Sequence, residues 1–293
     1  MNFAGGVIPF YKKRFIGIIP SYWCVGILFT LYKVAHYFFS GSNLLGDFLY
    51  TSFFLMPIET FGLQSAFCTL FPFSHNGGTW FVSCLAFCYL LFPLFKIIVS
   101  ELTAKSKVLV LIVLSGLLLY SSLVPHICNT SNIYTNLTFR GFEFFIGVLL
   151  ASGVSHSKFK PVLGSWFAFA VECFVLILGV TISRILGIPC DYMLLNWIAL
   201  PCFIAMVVTL SHLPSNIFLE SRFMSYACEV SYMFFFAQFF LWIPVRVGLQ
   251  YVGLWNHNLV KITVSFVLCA IIAVVLHEWV EKPAKRIAKK MIN

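Results

Sequence analysis

The sequence predicts an all-α fold, a polytopic transmembrane helical bundle of about eight spans plus one interfacial or re-entrant segment. Three observations predict it. Of 293 residues, 60% are hydrophobic and 10% charged, whereas a soluble domain carries roughly 25% charged residues. Mean hydropathy is +0.94. The apolar residues gather into stretches of about 20, the length that crosses a bilayer as a helix. Residues 1–293 read as a single transmembrane domain, with no internal repeat, Gly/Ser linker or low-complexity segment.

The eight stretches are residues 15–38, 78–99, 107–125, 140–155, 162–185, 192–211, 224–247 and 259–280. Between the first two, residues 46–73 are apolar but interrupted by Pro57, Glu59 and Gln64. Their unbroken runs suit a segment that dips into the membrane or lies on it. Threading the eight spans with residue 14 inside puts fourteen Lys and Arg on the cytoplasmic side. Only Lys33, Arg140, Arg184, Arg246 and Lys261 fall at outer ends. That asymmetry predicts a multi-pass protein of the cell membrane with both termini cytoplasmic.

Membrane orientation also accounts for the excess of 19 basic over 10 acidic residues. No basic run is interleaved with polar recognition residues, so no nucleic-acid partner is expected. The basic tail after Pro283 suits anionic headgroups, which makes membrane lipids the expected partner there. Lys12, Lys13 and Arg14 follow the first apolar stretch, the reverse of a signal peptide. Residues 1–11 look like the tail end of a helix. Cys24, Cys84, Cys88, Cys173, Cys202, Cys228 and Cys269 lie inside apolar runs and read as small buried hydrophobes. Cys84 and Cys88 share a helix face, but without an accompanying His or carboxylate no metal site is expected.

Ionisable groups at membrane depth are costly and mark functional positions. Lys12-Lys13-Arg14 leads into Ile18-Ile19-Pro20-Ser21-Tyr22-Trp23, a positive-inside anchor with an interfacial aromatic on composition alone. Gly77-Gly78-Thr79-Trp80-Phe81-Val82-Ser83 reads as a turn entering a helix, with Thr79 as its cap. Arg140 and Glu143, three apart, can neutralise one another or orient a hydroxylated substrate. Glu172 sits near mid-span, where it must be protonated, paired or in a wet cavity. Gln238 shares that depth and can act as interhelical glue, and Glu229 lies nearer the inner face. Of the histidines, His36, His75, His126 and His257 lie toward the outer side, and His156, His212 and His277 toward the inner side. None is deep in a span.

In this order the clusters resemble the integral-membrane acyltransferase family 3, whose members move acyl groups onto sugar hydroxyls of exported glycans. The resemblance rests on Tyr11-Lys12-Lys13-Arg14-Phe15 through Pro20-Ser21-Tyr22-Trp23, and on Thr79-Trp80-Phe81-Val82-Ser83 with Tyr89-Leu90-Leu91-Phe92-Pro93. It continues in Phe139-Arg140-Gly141-Phe142-Glu143, in Ser225-Tyr226 with Ser231-Tyr232, and in Glu281-Lys282-Pro283. It covers nearly the whole chain, and its specificity lies in the ordered set. Three departures stand out. The first two helices of the family, which carry an Arg and a His implicated in catalysis, have no counterpart here. Gly17 stands where members commonly have a second arginine, and Gln238 where they often have a histidine.

The resemblance implies an O-acyltransferase that takes an acyl group from acetyl-CoA or another acyl-CoA to a glycan or lipid-linked sugar. Lys12, Lys13 and Arg14 are then expected to attract a CoA phosphate. Trp80, Ser83, Arg140 and Glu143 are expected to bound an outer cavity for the acceptor, the aromatic stacking on a sugar face and the ion pair binding hydroxyls. No catalytic residue is assigned, and the missing base predicts that the chain is truncated or inactive as it stands. Two other readings remain open. One is a transporter or flippase for a lipid-linked glycan, with Glu172 coupled to protons. The other is a non-catalytic membrane partner protein. Oligomeric state, acyl group and acceptor are not encoded in any feature of the sequence.

Overall fold

The computed structural model describes residues 6–40, 56–63, 65, 80–121, 136–154, 165–187, 192–213 and 220–292. These hold ten α-helices: α1 (Val7–Ser40), α2 (Met56–Thr60), α3 (Trp80–Glu101), α4 (Ala104–Ser121), α5 (Leu137–Val154), α6 (Trp166–Ile185), α7 (Tyr192–His212), α8 (Arg222–Tyr251), α9 (Asn258–Leu276) and α10 (Lys282–Ile292). A π-helical turn, His277–Glu281, joins α9 to α10. No strand occurs among the described residues, and the fold is the expected all-α bundle. The eight expected stretches coincide with α1 and α3 to α9. Among the described residues, Val7–Tyr32, Trp80–Glu101, Ala104–Ser121, Trp166–Ile185 and Asn258–Met291 are long and apolar enough to cross a membrane. The expected turn at Gly77-Gly78-Thr79 and most of segment 46–73 lie outside the described residues.

Local chemistry fixes the helix ends. Ser165 and Ser221 cap α6 and α8, their hydroxyls accepting from the amides of Ala168 at 3.1 Å and Met224 at 3.2 Å. Just beyond the C-terminal ends of those helices the chain turns at Gly187 (φ 65°) and Gly253 (φ 72°), a left-handed conformation that costs glycine nothing. Pro20, Pro93, Pro201 and Pro244 lie inside helices. Membrane helices tolerate such prolines because neighbouring groups re-satisfy the freed carbonyls.

The chain falls into two compact units, residues 1–89 with 217–293 and residues 90–216. In the first, α8 packs along α9, and α1 packs on α10 and the π-turn. Its core joins Tyr22 and Val25 of α1 and Val82 of α3 to Met233, Phe236 and Ala237 of α8 and Ala273 and Leu276 of α9. The described part of segment 46–73 docks in this unit. Tyr22 donates its hydroxyl hydrogen to the carbonyl of Glu59, and Trp23 Nε1 donates to that of Thr60 at 2.8 Å. Both anchors lie in the first half of the expected span 15–38. The buried Ser65 that follows donates to the Trp80 carbonyl at 3.1 Å, and its amide donates to Ser83 Oγ at 3.3 Å. Non-helical backbone inside a membrane protein survives only where protein groups or water satisfy it in this way.

In the second unit, Val99 of α3, Leu114 and Leu118 of α4, and Ile146 and Leu149 of α5 form the core, with Leu200 and Ile204 of α7 against it. Helices α6 and α7 form a close pair. Gly179 of α6 leaves room for Ile198 of α7, and Thr209 of α7 donates to Glu172 Oε1 of α6 at 2.6 Å. A small residue and one interhelical hydrogen bond are the usual means by which helices associate in lipid.

Candidate functional site

The polar groups of the first unit gather where α1, α3, α8 and the π-turn meet. At the basic end, the guanidinium of Arg14 lies over the Tyr89 ring at 4.8 Å from its centroid and over Phe10 at 5.3 Å. Two aromatic faces hold this cation in place. Lys12 and Lys13 are exposed beside it. Tyr232 meets the Phe236 ring edge-on at 4.9 Å, and Tyr22 contacts the same ring at 6.4 Å.

The π-turn carries the most deeply buried charges of the unit. His277 is 4% exposed and Glu281 1%. A carboxylate can only accept, so His277 Nδ1 donates to Glu281 Oε2, at 2.6 Å. The second carboxylate oxygen, Oε1, accepts from Lys285 Nζ. With its hydrogen committed at Nδ1, His277 presents a lone pair at Nε2. That atom is buried and has no hydrogen-bond partner among the described residues. Glu229 Oε2 of α8 stands 3.7 Å from it, outside hydrogen-bond reach, on a side chain 62% exposed. Tyr226 packs edge-on against the His277 ring at 5.7 Å and donates to Glu278 Oε1 at 2.8 Å, which also accepts from Lys282 at 2.6 Å. Ser21 Oγ and the Tyr232 hydroxyl are likewise buried without a partner among the described residues.

Trp80 and Ser83, the expected acceptor-binding residues at the start of α3, are both buried in the first unit and engaged by Ser65. Arg140 and Glu143 belong to the second unit. Their side chains are 11% and 26% exposed and are joined by a hydrogen-bonded ion pair, Arg140 Nη1 donating to Glu143 Oε2 at 2.6 Å. Glu172 accepts from Thr209, and its other oxygen, Oε2, is buried without a partner among the described residues. Gln238 is exposed on α8. Each pair of expected site residues is thus held within one unit.

Two parts of this arrangement escape sequence reasoning. His277 lies near the end of an apolar stretch and so reads as an ordinary interfacial residue, and Glu281 enters only through the Glu281-Lys282-Pro283 motif. The signal available was spacing. His277, Glu281 and Lys285 are four apart, which places them on one helix face with the acid between two donors.

The family model for the acyltransferase domain of acyltransferase family 3 matches residues 4–278. The chain belongs to acyltransferase family 3. The match spans both compact units and takes in every expected site residue. It stops within the π-turn, after His277 and before Glu281. No curated protein and no solved structure matches the chain. As a family 3 acyltransferase with several apolar helices, it is a multi-pass membrane protein.

Proposed function

We propose that the protein is a membrane O-acyltransferase that moves an acyl group, acetyl foremost, from acyl-CoA to a sugar hydroxyl of a cell-surface or lipid-linked glycan. The observation that carries this reading is Arg14 held over Tyr89 and Phe10 with Lys12 and Lys13 beside it. Clustered cationic groups attract phosphate, and an arginine fixed by stacking gives up little freedom on binding it. The basic asymmetry of the chain supports a cytoplasmic setting for this end in a cell-membrane protein, where CoA is found. The Arg140–Glu143 ion pair supports the reading as a place for acceptor hydroxyls.

The test is acetyl-CoA binding by the purified chain in lipid nanodiscs. Arg14→Ala is expected to weaken it by at least about tenfold, the equivalent of about 1.4 kcal/mol. Lys12→Ala and Lys13→Ala act through screened, exposed charges, so each is expected to weaken binding less and mainly at low salt. Binding that is absent from the wild type, or indifferent to all three changes, would reject the reading.

One observation favours a second reading, a proton-coupled transporter of a lipid-linked glycan. Glu172 is a carboxyl at the depth of a span with one oxygen paired to Thr209 and the other without a partner among the described residues. Glycan flux across vesicles that stops on Glu172→Gln, without acyl transfer by the wild type, would favour it.

A further inference from the structure

The family match ends at residue 278 and so does not account for α10. We infer that α10 is an interfacial helix that docks on anionic phospholipid headgroups, with Trp279, Ile287 and Met291 set into the headgroup boundary and Arg286, Lys289 and Lys290 on lipid phosphates. The inference needs only the multi-pass membrane character of the chain and is independent of the acyltransferase reading.

Five of the eleven residues of α10 are basic and none is acidic. Two of these cations are neutralised within the fold, Lys282 by Glu278 at 2.6 Å and Lys285 by Glu281. Arg286, Lys289 and Lys290 are exposed, and among the described residues none of the three meets an acid. Charge alone would suit a helix bathed in water. The apolar residues of the same helix do not.

Trp279, Ile287 and Met291 are 78%, 60% and 81% exposed, and with exposed Pro283 between them they recur every four residues as one stripe. The other side of the helix is covered, because Ala288 is buried and α10 packs on α1. At the same spacing the stripe prolongs an exposed face of α9, on which Ile271 and Val275 lie. That continuity with the surface of a spanning helix favours lipid over a soluble acidic protein as the occupant. Depth agrees. The 19 residues of α9, at about 1.5 Å each, use up about 28 Å of a hydrocarbon layer about 30 Å thick. Trp279 then falls where tryptophan anchors a span, and α10 falls among the headgroups. The π-turn between the two helices is the kind of break at which helices bend. An apolar stripe flanked by cations is the pattern of helices that rest in this layer. The basic asymmetry of the chain supports the cytoplasmic leaflet, whose surface is negative, as the one that α10 meets.

The test uses the full chain in nanodiscs of phosphatidylcholine and phosphatidylglycerol, with bromine near the headgroup end of the acyl chains of one lipid or the other. Subtracting the fluorescence of Trp279→Phe from that of the wild type isolates Trp279. It is expected to be quenched by brominated lipid, and more by brominated phosphatidylglycerol than by brominated phosphatidylcholine. Arg286→Gln/Lys289→Gln/Lys290→Gln is expected to remove that preference, each cation contributing up to about fivefold, the equivalent of about 1 kcal/mol. Salt gives a readout on the wild type itself. Raising it from about 0.1 M to about 1 M shortens the screening length from about 10 Å to about 3 Å, and the preference is expected to shrink toward parity. Equal quenching by both lipids in the wild type would overturn the inference, as would a preference that survives high salt or the triple variant. Absence of quenching by either lipid would also overturn it and give the stripe to water or to a soluble partner.

Discussion

Replacing Gly179 by alanine tests how closely α6 and α7 are packed. A Cβ built on Gly179 comes 2.6 Å from Ile198 Cγ2 and 3.1 Å from Cδ1. Carbon atoms are at ease near 3.5–4.0 Å, so either the isoleucine or the helix must move by about 1 Å. Overpacking on this scale costs about 1–3 kcal/mol. The cost should vanish largely in Gly179→Ala/Ile198→Ala, because the second change removes both clashing atoms. The two substitutions should therefore be non-additive by about 1 kcal/mol or more. The assay is reversible unfolding in mixtures of lipid and SDS, followed by tryptophan fluorescence, on the wild type, both single variants and the double variant. A Gly179→Ala protein as stable as the wild type, or strictly additive effects, would refute the close approach of the two helices.

Other outcomes follow from single contacts. Thr209→Val removes the hydroxyl that Glu172 accepts from, and should cost about 0.6–1.7 kcal/mol in the same unfolding assay, the range of interhelical hydrogen bonds in membranes. Glu172→Gln keeps an acceptor for Thr209 and should leave acetyl transfer within about twofold, because Glu172 is not among the residues expected to bind donor or acceptor; loss of transfer with normal acetyl-CoA binding would give Glu172 a part in the chemistry. Arg140→Lys cannot reproduce the guanidinium fork on Glu143, so acceptor KM should rise with donor binding unchanged, and unchanged transfer would leave the pair as self-neutralising only. A reporter fused after Asn293 should be active in the cytoplasm, and activity confined to the outer side would refute the orientation.

The helices were legible because their periodicity hardly matters in lipid: an apolar run of sufficient length is itself the signal. Their ends were less so. Helix α1 begins at Val7, ahead of the apolar stretch at 15–38, because Lys12, Lys13 and Arg14 continue the helical hydrogen bonding outside the apolar run. Helix α8 runs on to Tyr251 past the expected end at 247 for the same reason. Apolarity reports where lipid ends, and backbone hydrogen bonds need not stop there.

Among polar residues, legibility depended on how far apart the partners lie. Arg140 and Glu143 are three apart on one helix, so their pairing was open to sequence reasoning and the ion pair is found. Glu172 was identified as needing a partner, but Thr209 lies 37 positions away and meets it only because α6 and α7 pack as they do. His277 shows both sides. Its spacing to Glu281 and Lys285 is visible in the sequence, whereas its burial depends on α1 and α8 closing over the π-turn. The docking of α2 against Tyr22 and Trp23 was invisible for the same reason, since these partners lie 37 positions apart.

The most direct measurement of the central claim is the stoichiometry of a single preparation, with free CoA thiol and alkali-labile acetyl ester counted together in membranes supplied with [14C-acetyl]-CoA. An acyltransferase predicts the two products in a one-to-one ratio, both dependent on the expressed chain and both lowered together by Arg14→Ala. Equal amounts of thiol and ester in membranes with and without the chain would contradict it.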